Sequence, residues 1–369
     1  MKLHFFAVLM AAASALAQPG FSPQVQPDGR VTFRLWDSNA TAVQVHSEGV
    51  SETNMTKDDH GVWSLTTPPL PPDIYAYSFT VDGLHMIDPS NPLLKYNLLS
   101  SDSQVHVPGP ETLPWEINDV PRGQLHHHPY RSAIAGDNRE FIVYTPPGYK
   151  SRSWKTYPVL YLVHGYSDDT GAWLTVGFAN VILDNLIASG RARPMLVVLP
   201  SAYGTMDIIK GGWAGVLGHP ALVQRNVEMF RDTLLREVIP QTEKAYRVKS
   251  GAGNRAIAGL SLGGTESLFV GLNAPDRFGW IGAFSSGGLN TNFAAAYPAV
   301  GQRINKQLRL LWTSCGTEDR LIAVNRNLGD WLTSKGVRHT WVETPGAHSF
   351  RVWRRDLADF VPQLFQEKK

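Results

Sequence analysis

From Val159 onward the chain is punctuated by short, mostly apolar runs: Val159 to Val163, Met195 to Leu199, Ala256 to Leu260, Trp280 to Phe284 and Leu308 to Thr313. Side chains of a strand point alternately to its two faces, so a run with few polar breaks is a strand buried on both sides. Between and after these runs the apolar residues fall at helical spacing, over Trp173 to Ser189, through Val227, Phe230, Leu234 and Val238, over Leu321 to Ser334 and over Arg351 to Phe365. Strands that alternate with helices predict a parallel sheet covered on both faces. A last strand is predicted at His339 to Val342. Gln124 to Ser132 and Glu140 to Tyr144 predict a hairpin turning at Gly136-Asp137-Asn138.

The first third reads differently. Val31, Phe33 and Leu35 alternate, as do Val43 and Val45, then Tyr75, Tyr77, Phe79 and Val81, with turn clusters such as Pro27-Asp28-Gly29 between them. This pattern predicts a small β-sandwich over residues 18–107, with Trp36 and Trp63 in its core. The proline-rich, aperiodic stretch 108–122 predicts a linker, and residues 123–369 a second domain. A length of 369 residues accommodates both. Lys2, the apolar stretch Phe5 to Leu16 and the small residues Ala15-Leu16-Ala17 make residues 1–17 a signal peptide, which predicts a secreted or periplasmic protein without a membrane anchor. Cys315 is the only cysteine, so no internal disulfide can form; it is expected to be buried at a strand end. With 34 basic against 32 acidic residues and no basic block, neither nucleic acid nor an anionic membrane is an evident partner.

The run ending at Leu260 leads directly into Gly259-Leu260-Ser261-Leu262-Gly263 and a helix-forming segment. A serine on such a strand-to-helix turn holds its hydroxyl exposed, and the flanking glycines let strand and helix crowd together. The pentapeptide alone is a weak signal in a chain with 33 glycines; its place between strand and helix gives it weight. A nucleophilic serine needs, in chain order, an acid and then a histidine. The stretch Ser314-Cys315-Gly316-Thr317-Glu318-Asp319 supplies a carboxylate beyond the end of a strand, and Pro345-Gly346-Ala347-His348 supplies a histidine on a loop before the last helix. An oxyanion hole is expected from the backbone N–H groups of Leu262 and of Tyr166, in the loop His164 to Asp169. Asp168 and Asp169 are read as solvated loop carboxylates. His126, His127 and His128 lie in one strand and face alternately, so they cannot all bind one metal. No metal or organic cofactor is required.

Two sets of motifs resemble known families. Gly29 to Trp36, His60 to Ser64, Tyr75 to Phe79, Val81-Asp82-Gly83 and Asp88-Pro89 resemble the early-set, immunoglobulin-like module that precedes many esterases and is related to family 48 carbohydrate-binding modules. Tyr144 to Tyr149, Leu162 to Gly165, Gly171-Ala172-Trp173, Ala258 to Gly264, Pro275 to Phe278, Cys315 to Asp319 and Gly346-Ala347-His348 resemble carbohydrate esterase family 1, which holds feruloyl and acetylxylan esterases. The resemblance implies an α/β-hydrolase domain behind an immunoglobulin-like β-sandwich. It also implies a triad of Ser261, Asp319 and His348, with Asp319 rather than Glu318 as the acid. Alanine at 347 departs from the family's usual second glycine. The expected substrate is a feruloyl or acetyl ester of xylan, with Tyr203, Trp213 and Trp353 as candidate substrate contacts. Hydrolysis of a siderophore trilactone is the alternative enzymatic reading. A carbohydrate-binding protein without catalysis is the non-enzymatic one, and a p-nitrophenyl acetate assay separates these classes.

Overall fold

The computed structural model describes residues 21–366; the expected signal peptide lies outside the described residues. The chain divides into two units, the first holding the described residues up to Leu70 with Tyr77–Pro92, the second Pro71–Ala76 with Leu93 onward.

The first unit is built from β1 (Gln24–Val25), β2 (Val31–Trp36), β3 (Val43–Ser47), β4 (Val50–Asn54), β5 (Thr56–Lys57), β6 (Val62–Thr66), residues 77–81 of β7 (Asp73–Val81), and β8 (Leu84–Met86). One antiparallel sheet runs β1-β2-β6-β5. The other is made by β3, which pairs with β4 and β7, while β7 pairs with β8. Val31, Phe33, Leu35, Val43, Val45 and Phe79 are buried, as the alternation predicts, and the rings of Phe33 and Tyr77 lie 4.5 Å apart. Trp63 is buried, but Trp36 is 61% exposed, which corrects its placement in the core. It follows Leu35 directly in β2, so it takes the opposite face from that buried side chain.

The second unit carries the short antiparallel pair β9 (Leu94–Lys95) and β10 (Asp102–Val107), which the sequence pattern had grouped with the sandwich. Residues 108–122 contain no strand or helix, yet Trp115 within them is buried in this unit's core. The main sheet has eight strands in the order β11-β12-β14-β13-β15-β16-β17-β18. These are β11 (Gln124–Arg131), β12 (Asn138–Thr145), β13 (Val159–Val163), β14 (Leu196–Pro200), β15 (Arg255–Leu260), β16 (Trp280–Phe284), β17 (Leu310–Gly316) and β18 (Thr340–Thr344). The hairpin β11–β12 is antiparallel and the other six strands are mutually parallel.

The helices are α1 (Ala172–Thr175), α2 (Ala179–Ala188), α3 (Asp207–Lys210), α4 (Gly212–Leu217), α5 (Pro220–Thr233), α6 (Ile239–Ala245), α7 (Leu262–Asn273), α8 (Phe293–Ala296), α9 (Ile322–Ser334) and α10 (Phe350–Phe360). Residues from α1, α2 and α10 form the core on one face of the sheet, and residues from α5, α7 and α9 form it on the other. The single helix expected over Trp173 to Ser189 is broken at Phe178, whose φ is +54°. Strand β17 runs to Gly316 rather than ending at Thr313, because Ser314 is buried with its hydroxyl satisfied and so reads as polar only in sequence.

One buried ionic cluster sits within this unit. Arg354 of α10 donates to Asp73 Oδ1 at 2.7 Å and to the carbonyl of Val176 at 2.8 Å, while Arg355 reaches the other oxygen of Asp73. Both Asp73 and Arg354 are almost wholly removed from solvent. Asp73→Ala would leave the Arg354 charge buried without its counter-ion, which typically costs about 3–5 kcal/mol. Urea denaturation is expected to show a loss of that size in the transition of the second unit. A loss below about 1 kcal/mol would mean that carbonyl acceptors suffice for Arg354.

Candidate active site

Ser261 stands between the end of β15 and the first residue of α7, with φ 51° and ψ −115°. A non-glycine residue adopts such a backbone only when its surroundings hold it there. Here Ser261 N donates to Phe284 O at 2.8 Å, and Ser261 O accepts from Gly287 N at 2.9 Å. The two flanking glycines are required by contact. A Cβ on Gly259 would lie 2.4 Å from Gly263 O, and one on Gly263 would lie 2.4 Å from His164 O. Helix α7 starts at Leu262, so its first N–H groups have no intrahelical acceptor and point toward the turn.

Three residues distant in sequence meet at this turn. His348 Nε2 lies 3.0 Å from Ser261 Oγ, and His348 Nδ1 lies 2.7 Å from Asp319 Oδ2. A carboxylate only accepts, so Nδ1 carries the proton and Nε2 faces the serine hydroxyl as an acceptor. Asp319 Oδ1 accepts in turn from Leu321 N at 2.8 Å. Burial pushes the Asp319 carboxyl up, but the hydrogen bond and charge of His348 and the Leu321 N–H together hold it below the usual carboxylate range. Glu318, the rival acid, is exposed while Asp319 is buried.

Ser261, Leu262 and Tyr166 line one cavity of about 940 Å³. Tyr166 is held by its hydroxyl, which donates to Ile208 O at 3.0 Å, and the ring of Trp213 meets it edge-on at 4.6 Å. Trp213 also lines the cavity, as expected of a substrate contact. Tyr203 and Trp353 do not, which corrects their assignment. Tyr203 is buried and donates to Asp168 O at 2.6 Å; Trp353 is buried and packs its ring edge-on against His348 at 4.8 Å. Both are supports of the site. The residues between Ser201 and Pro220 carry α3 and α4, and with Val223, Val227, Phe269 and Leu289 they supply apolar wall that the sequence reading did not assign.

The loop holding Tyr166 is fixed by buried polar groups. His164 Nε2 accepts from Ala202 N at 3.0 Å, and burial pushes the imidazole down to about 4, which keeps it neutral. Asp168 is buried and not solvated as expected. Burial pushes it up to about 6, and it accepts from Gly165 N and Asn97 Nδ2 at 3.3 and 3.4 Å. The adjacent histidines face alternately: the exposed His127 meets Glu140 at 3.0 Å, while His126 and His128 both pack against Tyr246, whose hydroxyl lies 2.6 Å from His128. Among the described residues no group of three or more His, Cys, Asp or Glu is placed to hold a metal ion. Cys315 is buried near the end of β17.

The family model described as "Putative esterase" matches residues 132–364. This chain belongs to that family. Residues 19–93 match carbohydrate-binding module 48, the isoamylase N-terminal domain. The esterase-family chain is 30% identical over 362 residues to an endo-1,4-beta-xylanase/feruloyl esterase of Xylanibacter ruminicola, covering 95% of itself but 47% of that protein. It spans about half the length of the curated relatives it matches. Among the solved structures that share its fold are two esterases. A family 1 ferulic acid esterase of Anaeromyces mucronatus is 23% identical, with a TM-score of 0.60 over 70% of this chain and 96% of that one. An enterobactin esterase of Shigella flexneri is 20% identical, with a TM-score of 0.69 over 91% and 93%.

In this esterase-family chain Asp356 ties the start of the His348 loop at Thr344 to β17. That side chain, on α10, accepts from Ser314 Oγ of β17 at 2.7 Å and from Thr344 Oγ1 at the end of β18. Burial pushes Asp356 up to about 7. A carboxyl raised in the folded state binds its proton more tightly there than in the unfolded chain. It therefore lowers stability as pH rises from about 4 to about 7. Asp356→Asn removes that dependence. Its melting temperature relative to the parent chain is expected to be highest near pH 8 and to fall toward pH 4, read by calorimetry across that range. A difference independent of pH would show that Asp356 is not protonated in the fold.

Proposed function

We propose that the chain is a serine carboxylic-ester hydrolase in which Ser261 is the nucleophile, His348 the general base and acid, and Asp319 the residue that orients and charges the imidazole. The observation that carries this reading is the Ser261–His348–Asp319 hydrogen-bonded relay opening into the cavity. His348 Nε2 takes the Ser261 proton as Oγ bonds to the ester carbonyl carbon, and the carbonyl oxygen becomes an oxyanion facing the N–H groups of Leu262 and Tyr166. Collapse breaks the bond to the alcohol oxygen, which leaves with the proton from His348. Water then enters, gives a proton to Nε2 and attacks the acyl-enzyme, and the acid departs as the proton returns to Ser261.

A cavity with walls such as Val223, Val227, Phe269, Leu289 and Tyr297 suits an acyl group much larger than acetyl. Together with the xylanase/feruloyl esterase relative, this favours a hydroxycinnamoyl ester of plant cell-wall polysaccharide as the substrate. Residues 1–17 read as an export signal, which would bring the enzyme to a polymer outside the cell. A second reading, hydrolysis of an enterobactin-like trilactone, is favoured by the enterobactin esterase fold matching 91% of the chain rather than the esterase portion alone. Export argues against it, since releasing iron from a siderophore is work for the cell interior.

Three measurements test these assignments. Ser261→Ala is expected to lower kcat by roughly 10⁴-fold or more with the fold intact by circular dichroism; substantial residual turnover would remove Ser261 from the chemistry. Asp319→Asn is expected to cost far more kcat than Glu318→Gln, because the exposed Glu318 does not reach His348. A panel of methyl ferulate, acetylated xylan and enterobactin should rank the ferulate first, and enterobactin ranking first would transfer the assignment to the second reading.

A further inference from the structure

Of the described side chains that line the Ser261 cavity, Arg320 is the only cationic one. The deep wall is buried, with Val227 and Tyr297 at 3% and 2% exposure, whereas Arg320 is exposed and Trp213 is 46% exposed. The cation therefore sits at the mouth and the apolar wall lies inside. Its guanidinium carbon lies 5.8 Å from the centroid of the Trp213 ring, and Trp213 leans in turn on Tyr166. No carboxylate among the described residues lies within ion-pair distance of Arg320, although Arg326, six residues on, is paired with Glu343 at 2.7 Å. Arg320 is also fixed in the backbone between Asp319, bonded to His348, and Leu321, whose N–H is bonded to Asp319.

We infer that Arg320 and Trp213 form a recognition point for a carboxylate on the alcohol portion of the substrate, the chemistry of a saccharide ester that carries a uronic-acid unit. This rests on the reading of Ser261 as the nucleophile. An acyl group filling the apolar interior leaves the alcohol portion to emerge through the mouth, where the Arg320 guanidinium lies over the Trp213 ring. Guanidinium pairs a carboxylate in a bidentate manner, and its planar fork loses less freedom per hydrogen bond on binding than a lysine ammonium. Trp213 offers its remaining surface to a sugar ring. A neutral ester would use the same interior and leave the cation solvated, so the pair selects among alcohols rather than enabling the reaction.

The experiment compares cinnamoyl esters of 4-(hydroxymethyl)benzoate and of its uncharged amide, which differ in charge and little in shape. The full chain is expected to hydrolyse the carboxylate ester with a kcat/KM about tenfold above the amide, the low end for a charge-assisted hydrogen bond that is partly solvated. The ratio should shrink in 0.5 M salt, fall to about one in Arg320→Gln and survive in part in Arg320→Lys. A ratio near one in the parent chain, or a ratio unchanged in Arg320→Gln, overturns the inference. Calorimetric titration of both esters into the Ser261→Ala chain reads the same preference without turnover. No hydrolysis of either ester, with the preference in binding retained, would sink the nucleophile assignment and leave the recognition point standing. Equal binding of the two esters would sink the recognition point whatever the turnover.

Discussion

The close approach of α7 to the sheet at Gly259 and Gly263 sets the position of everything in the candidate site. With no side chain at either residue, the helix starts within van der Waals contact of the strand it leaves and of β13 beside it. That approach forces Ser261 into a positive φ and aims its hydroxyl away from the crowded turn. The same approach brings the start of α7 beside the end of β13, so that Tyr166 and Leu262 reach the cavity together. A Cβ at either glycine would have to displace backbone atoms, and no rotamer change could relieve it.

Buried ionisable groups fasten the loops around that turn. His164 and Asp168 tie the Tyr166 loop, and Asp356 ties β17 to the end of β18, from which the His348 loop leaves. On α7 itself, Glu266 accepts from Asn226 at 2.9 Å, and Asn226 also donates to Ala202 O. Burial pushes the Glu266 carboxyl well above its ordinary range, against the Asn226 hydrogen bond that lowers it. These groups share one physical logic. A buried polar side chain that is hydrogen-bonded specifies where a loop lies in a way that apolar packing does not. Asp319 differs: the hydrogen bond and charge of His348 and the Leu321 N–H favour its charged form.

The sequence made legible what depends on local pattern. The parallel strands, the serine on its turn and the order of acid and histidine all follow from periodicity and position, and the structure brings Ser261, Asp319 and His348 within hydrogen-bond distance. It did not reveal what depends on which distant residues meet. Tyr203 and Trp353 were plausible rim aromatics, because an aromatic residue near a site reads alike whether it faces the cavity or props the loop behind it. Asp168 looked like a loop carboxylate because nothing in Ser167-Asp168-Asp169 tells of Asn97 and Tyr203 closing over it. Asp73 gave no sign of Arg354, separated from it by 281 residues. The offset in β17 has a similar cause, since Ser314 is polar in sequence but satisfied in the fold.

The site thus has two parts with different physical requirements. The relay and its neighbouring N–H groups rest on sheet strands, a helix start and buried hydrogen bonds, where a displacement of an ångström would break the geometry. The cavity wall opposite is made by α4, the start of α5 and the segment from Gly287 to Tyr297, elements joined by loops rather than by the sheet. Helix α4 has no buried residue and lies between Gly211 and Gly218, so few contacts constrain what its side chains must be. Substitutions in that wall change the size and charge offered to a substrate at little cost to the relay. Arg320 stands where the two parts meet, next in the chain to the acid of the relay and 5.8 Å from the centroid of the aromatic ring of the wall. A charge in that position takes its backbone place from the relay while its side chain faces the variable side, which is the placement a selective contact needs.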